Sequence, residues 1–197
     1  MRLLYFSIVF GICCVFLGCE KQEKTQQNTT LEPKRITHTT LEANNGEKLT
    51  FKNVLTQNAL PKDAFKDLQV ISENANIKIL VFFTTWCDPC RGILPHLENL
   101  SNQFGDSIAF FLIPVDDLVG EVENFKGTLQ VFSEENMLNL PLIADAKRAQ
   151  LFQMLNGLEG VPLIVLYDAK GAYVAHYLGA IPEEMLEFDL TQLIKGQ

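Results

Sequence analysis

The chain is short of several things. Histidine occurs three times in 197 residues, tryptophan once and cysteine five times. Basic residues are outnumbered, 16 against 24 acidic, for a formal charge of −8. Beyond the N-terminus no apolar run approaches the ~20 residues that a spanning helix needs, and no internal repeat is visible. The acidic balance argues against nucleic-acid binding and against electrostatic attachment to anionic lipid. It favours solubility and says little about chemistry. Zinc wants four ligands. Two thiols plus His38, His96 and His176 stand at no ligand-like spacing, so no metal site and no bound cofactor is expected.

The cysteines are unevenly placed. Cys13, Cys14 and Cys19 lie near the N-terminus, and Cys87 and Cys90 stand alone in the middle. Met1-Arg2 gives a small positive start, and residues 3–17 form an apolar stretch like the core of an export signal. It ends Phe16-Leu17-Gly18-Cys19, which resembles the bacterial lipobox, where the cysteine is lipidated and becomes the first residue of the mature chain. The alternative is a short uncleaved anchor. Residues 1–18 are therefore expected to be a signal peptide, 19–35 a lipidated N-terminus and flexible tether, and 36–197 one domain outside the cytoplasm. Loss of the leader removes Cys13 and Cys14 and takes the charge to −9 with Arg2 gone. Residues 20–35 are rich in Gln, Asn, Thr and Lys. Such a segment buries too little to fold and spans roughly 20–24 Å as a coil.

From residue 36 onward the pattern is that of one α/β domain with a proper core. Residues 36–41 and 48–51 read as a hairpin about Asn44-Asn45-Gly46, which supplies a positive-φ turn. Pro61 suits the first turn of a helix running to about Ser72, with Phe65 and Leu68 on one face. Residues 77–83 are apolar without alternation, the mark of a strand covered on both sides. Ile93, Leu94, Leu97, Leu100 and Phe104 then recur at helical spacing, with Gly105 as a stop and Pro95 as a kink inside. Residues 108–115 read as a second buried strand. Residues 121–137 read as an acidic helix with a seam of Val122, Phe125, Leu129 and Phe132. A short strand at 140–144 and a helix at 146–155 capped by Asp145 follow. Pro162 opens a strand at 163–167, Asp168-Ala169-Lys170-Gly171 turns it, and 172–178 returns antiparallel. Pro182 begins a last helix that turns Leu186, Leu190 and Leu193 inward.

The chemistry is concentrated in Trp86-Cys87-Asp88-Pro89-Cys90, at the junction of a buried strand and a helix. A helix N-terminus presents unpaired N–H groups and partial positive charge, which favour a thiolate on the first cysteine. The second cysteine is close enough to close a disulfide, so the pair reads as a two-electron switch. As a structural staple it is poor: so short a loop contributes roughly 2 kcal/mol before strain is subtracted.

This strand, the Trp-Cys-x-x-Cys motif, a helix with Pro95 five residues past Cys90, and Gly160-Val161-Pro162 before a later strand together resemble the thioredoxin superfamily. The hairpin and the insertion before Leu140 resemble its TlpA/ResA-like branch of extracytoplasmic thiol–disulfide oxidoreductases. The resemblance implies a thioredoxin-like fold, a central mixed β-sheet flanked by helices, with an N-terminal β-hairpin and a helical insertion. It implies Cys87 as nucleophile, Cys90 as resolving thiol, and Pro162 as a cis-proline facing them. Val161 would then offer its backbone to a substrate strand, and Trp86 would flank the thiol, with core packing as its plainer role. Implied partners are cysteine-containing exported proteins and a membrane thiol–disulfide electron carrier.

Two departures from the branch stand out. Many relatives carry a buried acid six residues before the first cysteine or three after the second, and here those positions hold Val81 and Ile93. Asp88 is expected to face solvent and oppose a thiolate on Cys87, whereas Arg91 favours one. His96 reads as an exposed helical residue. Asp-Pro between the cysteines is closer to the reducing members, and reduction of apocytochrome c cysteines is a frequent role in this branch. Oxidase, isomerase, an inert-disulfide binding module and a copper-delivery protein of the same fold remain as alternatives.

Overall fold

The computed structural model describes residues 37–54, 64–74 and 76–196. The leader, Cys19, the tether and Pro61 lie outside the described residues.

Two sheets carry the domain. The first is antiparallel and has three strands, β1 (His38–Glu42), β2 (Lys48–Asn53) and β3 (Leu68–Ser72), in the order β1-β2-β3. Gly46 at φ 87° closes the β1–β2 turn, as its lack of a Cβ permits. β3 corrects the expected helix after Pro61. Only a 3-10 turn forms, Ala64–Asp67, and the chain then extends. Leu68 and Val70 are buried while Gln69 and Ile71 are less so, a period of two. Pairing with residues 49–53 of β2 takes up its backbone hydrogen bonds, its apolar face packs into the layer that holds Phe51, Phe65 and Tyr167, and these tertiary contacts override the helical spacing of Phe65 and Leu68.

The second sheet has the order β5-β4-β6-β7 and mixes directions. Its strands are β4 (Ile77–Phe83), β5 (Ile108–Pro114), β6 (Leu163–Tyr167) and β7 (Tyr173–Leu178). β4 runs parallel to β5 and antiparallel to β6, and β6 and β7 form a hairpin. Every residue of β4 is buried because both faces are covered. Ile77, Ile79, Val81 and Phe83 pack into one apolar layer with the helices α1 (Asp88–Phe104) and α5 (Glu183–Lys195). Leu80 and Phe82 face the other, shared with β1–β3 and with α4 (Arg148–Met154).

The helix α1 runs unbroken through Pro95, and Gly105 ends it. Leu97 and Leu100 are buried against β4, as their spacing requires. The expected acidic helix is shorter than its pattern. A single turn, α2 (Asp116–Val119), comes first, and α3 (Phe125–Glu135) starts only where Asn124 caps it by accepting from Gly127 N at 3.2 Å. The strand expected at 140–144 is one bridge, Leu112 to Leu142. Pro141 has no N–H to extend it. Asp145 caps the turn ahead of α4, accepting from Lys147 N at 2.8 Å, so that helix starts later than expected. In α5, Leu186 and Leu190 are buried and Leu193 is half-buried.

Candidate active site

Four segments meet where β4 ends. Phe83 is its last residue, Thr84 and Thr85 turn the chain, and Trp86 leads into Cys87, the N-cap of α1. Cys87 is bonded to Cys90, with their Cα atoms 5.2 Å apart. The Cys90 backbone N–H also points to Cys87 Sγ at 3.2 Å. One turn of helix thus brings the second sulfur and an unpaired helix N–H to the same atom. Cys87 is 7% exposed and Cys90 1%, so Cys87 is the sulfur nearer solvent. Trp86, 63% exposed, stands beside it on the surface, and its plainer role in the core is ruled out by that exposure.

The loop before β6 faces the disulfide. The Val161–Pro162 peptide bond is cis. Val161 O lies 3.9 Å from Cys87 Sγ. Pro162 is buried, and Val161, the last residue of the loop before it, is half-buried. The residues singled out in sequence, Trp86, Cys87, Cys90, Val161 and Pro162, therefore converge. His96 does not join them. It sits on the outer face of α1 and pairs with Glu183 at 2.6 Å. Asp88 faces solvent, as expected. Val81 and Ile93 are buried in the apolar layer under the cysteines.

Arg91 is turned back along α1. Its Nε and Nη2 donate to Thr85 O at 3.0 and 2.8 Å, and its guanidinium lies over the Phe132 ring. On the other side of Thr85 is a residue that sequence reasoning missed. Asp116 accepts from Thr85 N–H at 2.8 Å and from the Thr85 hydroxyl at 2.5 Å. A signal did exist: Asp116 and Asp117 follow an apolar strand directly, where a solvent-facing turn residue and an inward carboxylate look alike. Among the described residues no group of three His, Cys, Asp or Glu side chains could hold a metal ion.

The sequence pattern of the thioredoxin-like domain matches residues 64–193, which include every residue of this site. The chain belongs to the thioredoxin-like domain family. Among curated relatives, the thiol-disulfide oxidoreductase ResA of Halalkalibacterium halodurans is 26% identical over 118 residues, 60% of this chain and 62% of that one. The match spans about half or less of the first curated relatives' length. Among solved structures, StoA from Bacillus subtilis superposes with a TM-score of 0.56 at 19% identity, covering 80% of this chain and 98% of StoA. The exposed lipoprotein thioredoxin of Streptococcus pneumoniae gives 0.56 at 17% identity, covering 79% and 99%. Both likenesses are likenesses of fold. No helix among the described residues is long and apolar enough to cross a membrane.

Proposed function

We propose that this thioredoxin-like chain is an extracytoplasmic thiol–disulfide oxidoreductase that reduces or exchanges disulfides of exported proteins through Cys87 and Cys90. The observation that carries the reading is the placement of Cys87. It caps α1, is bonded to Cys90, and lies 3.9 Å from the carbonyl that precedes the cis-proline. The relatives' names point the same way, one a thiol-disulfide oxidoreductase and one an exposed lipoprotein thioredoxin.

The reaction balances as two thiol–disulfide exchanges. The reduced protein presents the Cys87 thiolate, which attacks one sulfur of a substrate disulfide. A Cys87–substrate mixed disulfide forms and a substrate thiolate leaves. Cys90 then attacks Cys87 Sγ, which releases the second substrate thiol and leaves Cys87–Cys90 oxidised. The substrate gains two electrons and the protein loses two. A membrane thiol carrier would restore the dithiol, because exported proteins work in oxidising surroundings. The backbone of Val161 would hold the substrate strand beside the sulfur, and exposed Trp86 would cover its apolar neighbour. Lipidation at Cys19 would tether the domain to a membrane. Cysteines of apocytochrome c are one substrate of the right chemistry.

The test is insulin reduction by the dithiol form. The wild-type protein turns over, and Cys87→Ser loses at least a hundredfold in rate. A Cys87→Ser protein that keeps a partner bound while wild type shows no turnover would instead mark a binding module. The potential of the couple decides the direction of flow. A value well below the glutathione range is expected, and one near the strongest oxidants would make the protein an oxidase.

A further inference from the structure

Asp116 is the only buried carboxylate among the described residues, at 1% exposure. It stands where β5 passes into α2, beside the end of β4. Both of its hydrogen bonds are made by Oδ1, to Thr85 N–H and Thr85 Oγ1. Its Oδ2 is buried with no hydrogen-bond partner. A half-satisfied buried carboxylate costs stability, so its place calls for a reason. Thr85 supplies one. This residue, two before Cys87, is gripped at its N–H by the Asp116 carboxyl and at its carbonyl by the Arg91 guanidinium. The turn that carries Asp116 is held through its neighbours. Arg148, also buried, binds both oxygens of Asp117 at 3.0 and 3.1 Å and donates to Pro114 O, which pins the turn on which Asp116 sits.

We propose that Asp116 is a positioning residue of the redox couple. It fixes Thr85, keeps the Arg91 guanidinium seated on the Thr85 carbonyl rather than on Cys87, and sets a negative charge behind the thiolate. The last two effects disfavour the Cys87 thiolate and hold the couple on the reducing side. The inference rests on the proposed oxidoreductase function and adds what tunes it. The charged groups around this point are Asp88 and Arg91 on α1, Glu135 on α3, and the Asp117–Arg148 pair joining α2 to α4. Asp88, Asp117 and Glu135 are exposed, so water screens them, and the charge of Asp116 acts through protein.

Asp116→Asn in the full-length protein keeps an acceptor for Thr85 and removes the charge. The pH profile of Cys87 alkylation in the reduced variant should move down by about one unit. At a pH above the Cys87 titration, where the reduced form carries the thiolate, the equilibrium with glutathione should shift about tenfold toward the reduced protein, or ~30 mV. An Asp116→Asn protein equal to wild type in both readouts overturns the proposal and leaves Asp116 a structural cap. A measurement on the unaltered protein covers the case in which the variant does not fold. The 13C shift of the Asp116 carboxyl should follow the titration of Cys87 in the reduced form and stay flat over the same range in the oxidised form. A flat response in both forms overturns it as well. Failure of the reductase reading is seen separately, in the absolute potential of wild type, which leaves the variant-minus-wild-type shift meaningful.

Discussion

Lys78 shows at the residue scale how this fold sets the energy of a single charge. It occupies an otherwise apolar strand and is 1% exposed, yet its Nζ finds one acceptor, Ala169 O at 3.0 Å. Burial holds its pKa below the ordinary 10.5, with nearby Asp168 pulling the other way. Tyr167, whose hydroxyl donates to Phe65 O, is shifted oppositely: burial raises its pKa above the ordinary 10.0. The signs follow from proton counting. Between the lowered pKa of Lys78 and 10.5 the unfolded chain binds more protons, so stability climbs with pH. Above 10.0 the unfolded tyrosine loses a proton that the folded one keeps, so stability falls there. Lys78→Met should abolish the climb and raise stability at pH 7 by on the order of 1 kcal/mol. Urea midpoints of both proteins from pH 7 to pH 10 measure this. Equal slopes would show that Lys78 is not the group responsible.

At the scale of elements, the β6–β7 turn ties the two sheets together. Gly171 sits at φ 83°, and its carbonyl accepts from Val70 N at 2.9 Å. A Cβ on Gly171 would overlap the Val70 carbonyl oxygen. Gly171→Ala therefore meets both a disfavoured backbone and a backbone clash, which no side-chain rotation relieves. A loss of about 2 kcal/mol or more is expected in the urea midpoint, with the register of β6 and β7 kept. An unchanged midpoint would mean that β3 and the turn are not locked as close as described. This contact also explains why residues 68–72 became a strand. Their sequence is compatible with a helix end or an edge strand, and a neighbouring strand on one side with a docked turn on the other decided between the two. By contrast β4 and α1 were legible from sequence, because a heptamer apolar at every position but Lys78 and a five-residue helical stripe each have one way to bury themselves.

For the whole molecule, the question is whether three strands and four strands behave as one body. Tyr167 reaches Phe65, Thr39 donates to Gln150 at 2.8 Å, and Asn44 and Leu142 exchange hydrogen bonds at 2.9 Å. Leu41, Leu49 and Phe51 of the first sheet share an apolar layer with Leu80, Phe82 and Val165 of the second. Such continuity predicts one cooperative transition. Amide exchange in β2 and in β4 should report the same opening free energy, and a β2 that opens several kcal/mol more easily would make the first sheet an appendage. At this scale also the site comes together. Cys87 and Pro162 are 75 positions apart in sequence, and they meet because β4 and β6 are hydrogen-bonded neighbours.

The amino-acid sequence alone was enough to place the paired cysteines at a strand-to-helix junction, since local periodicity and helix-end physics act over a few residues. It was also enough to set the alternation of buried strands and helices. Tertiary structure decided what local chemistry leaves undetermined. It paired β3 with β2, brought the Val161 carbonyl to Cys87, and turned Asp116 rather than Asp117 inward to Thr85. Two adjacent aspartates have the same propensities, and only the positions of Thr85 and Arg148 distinguish them.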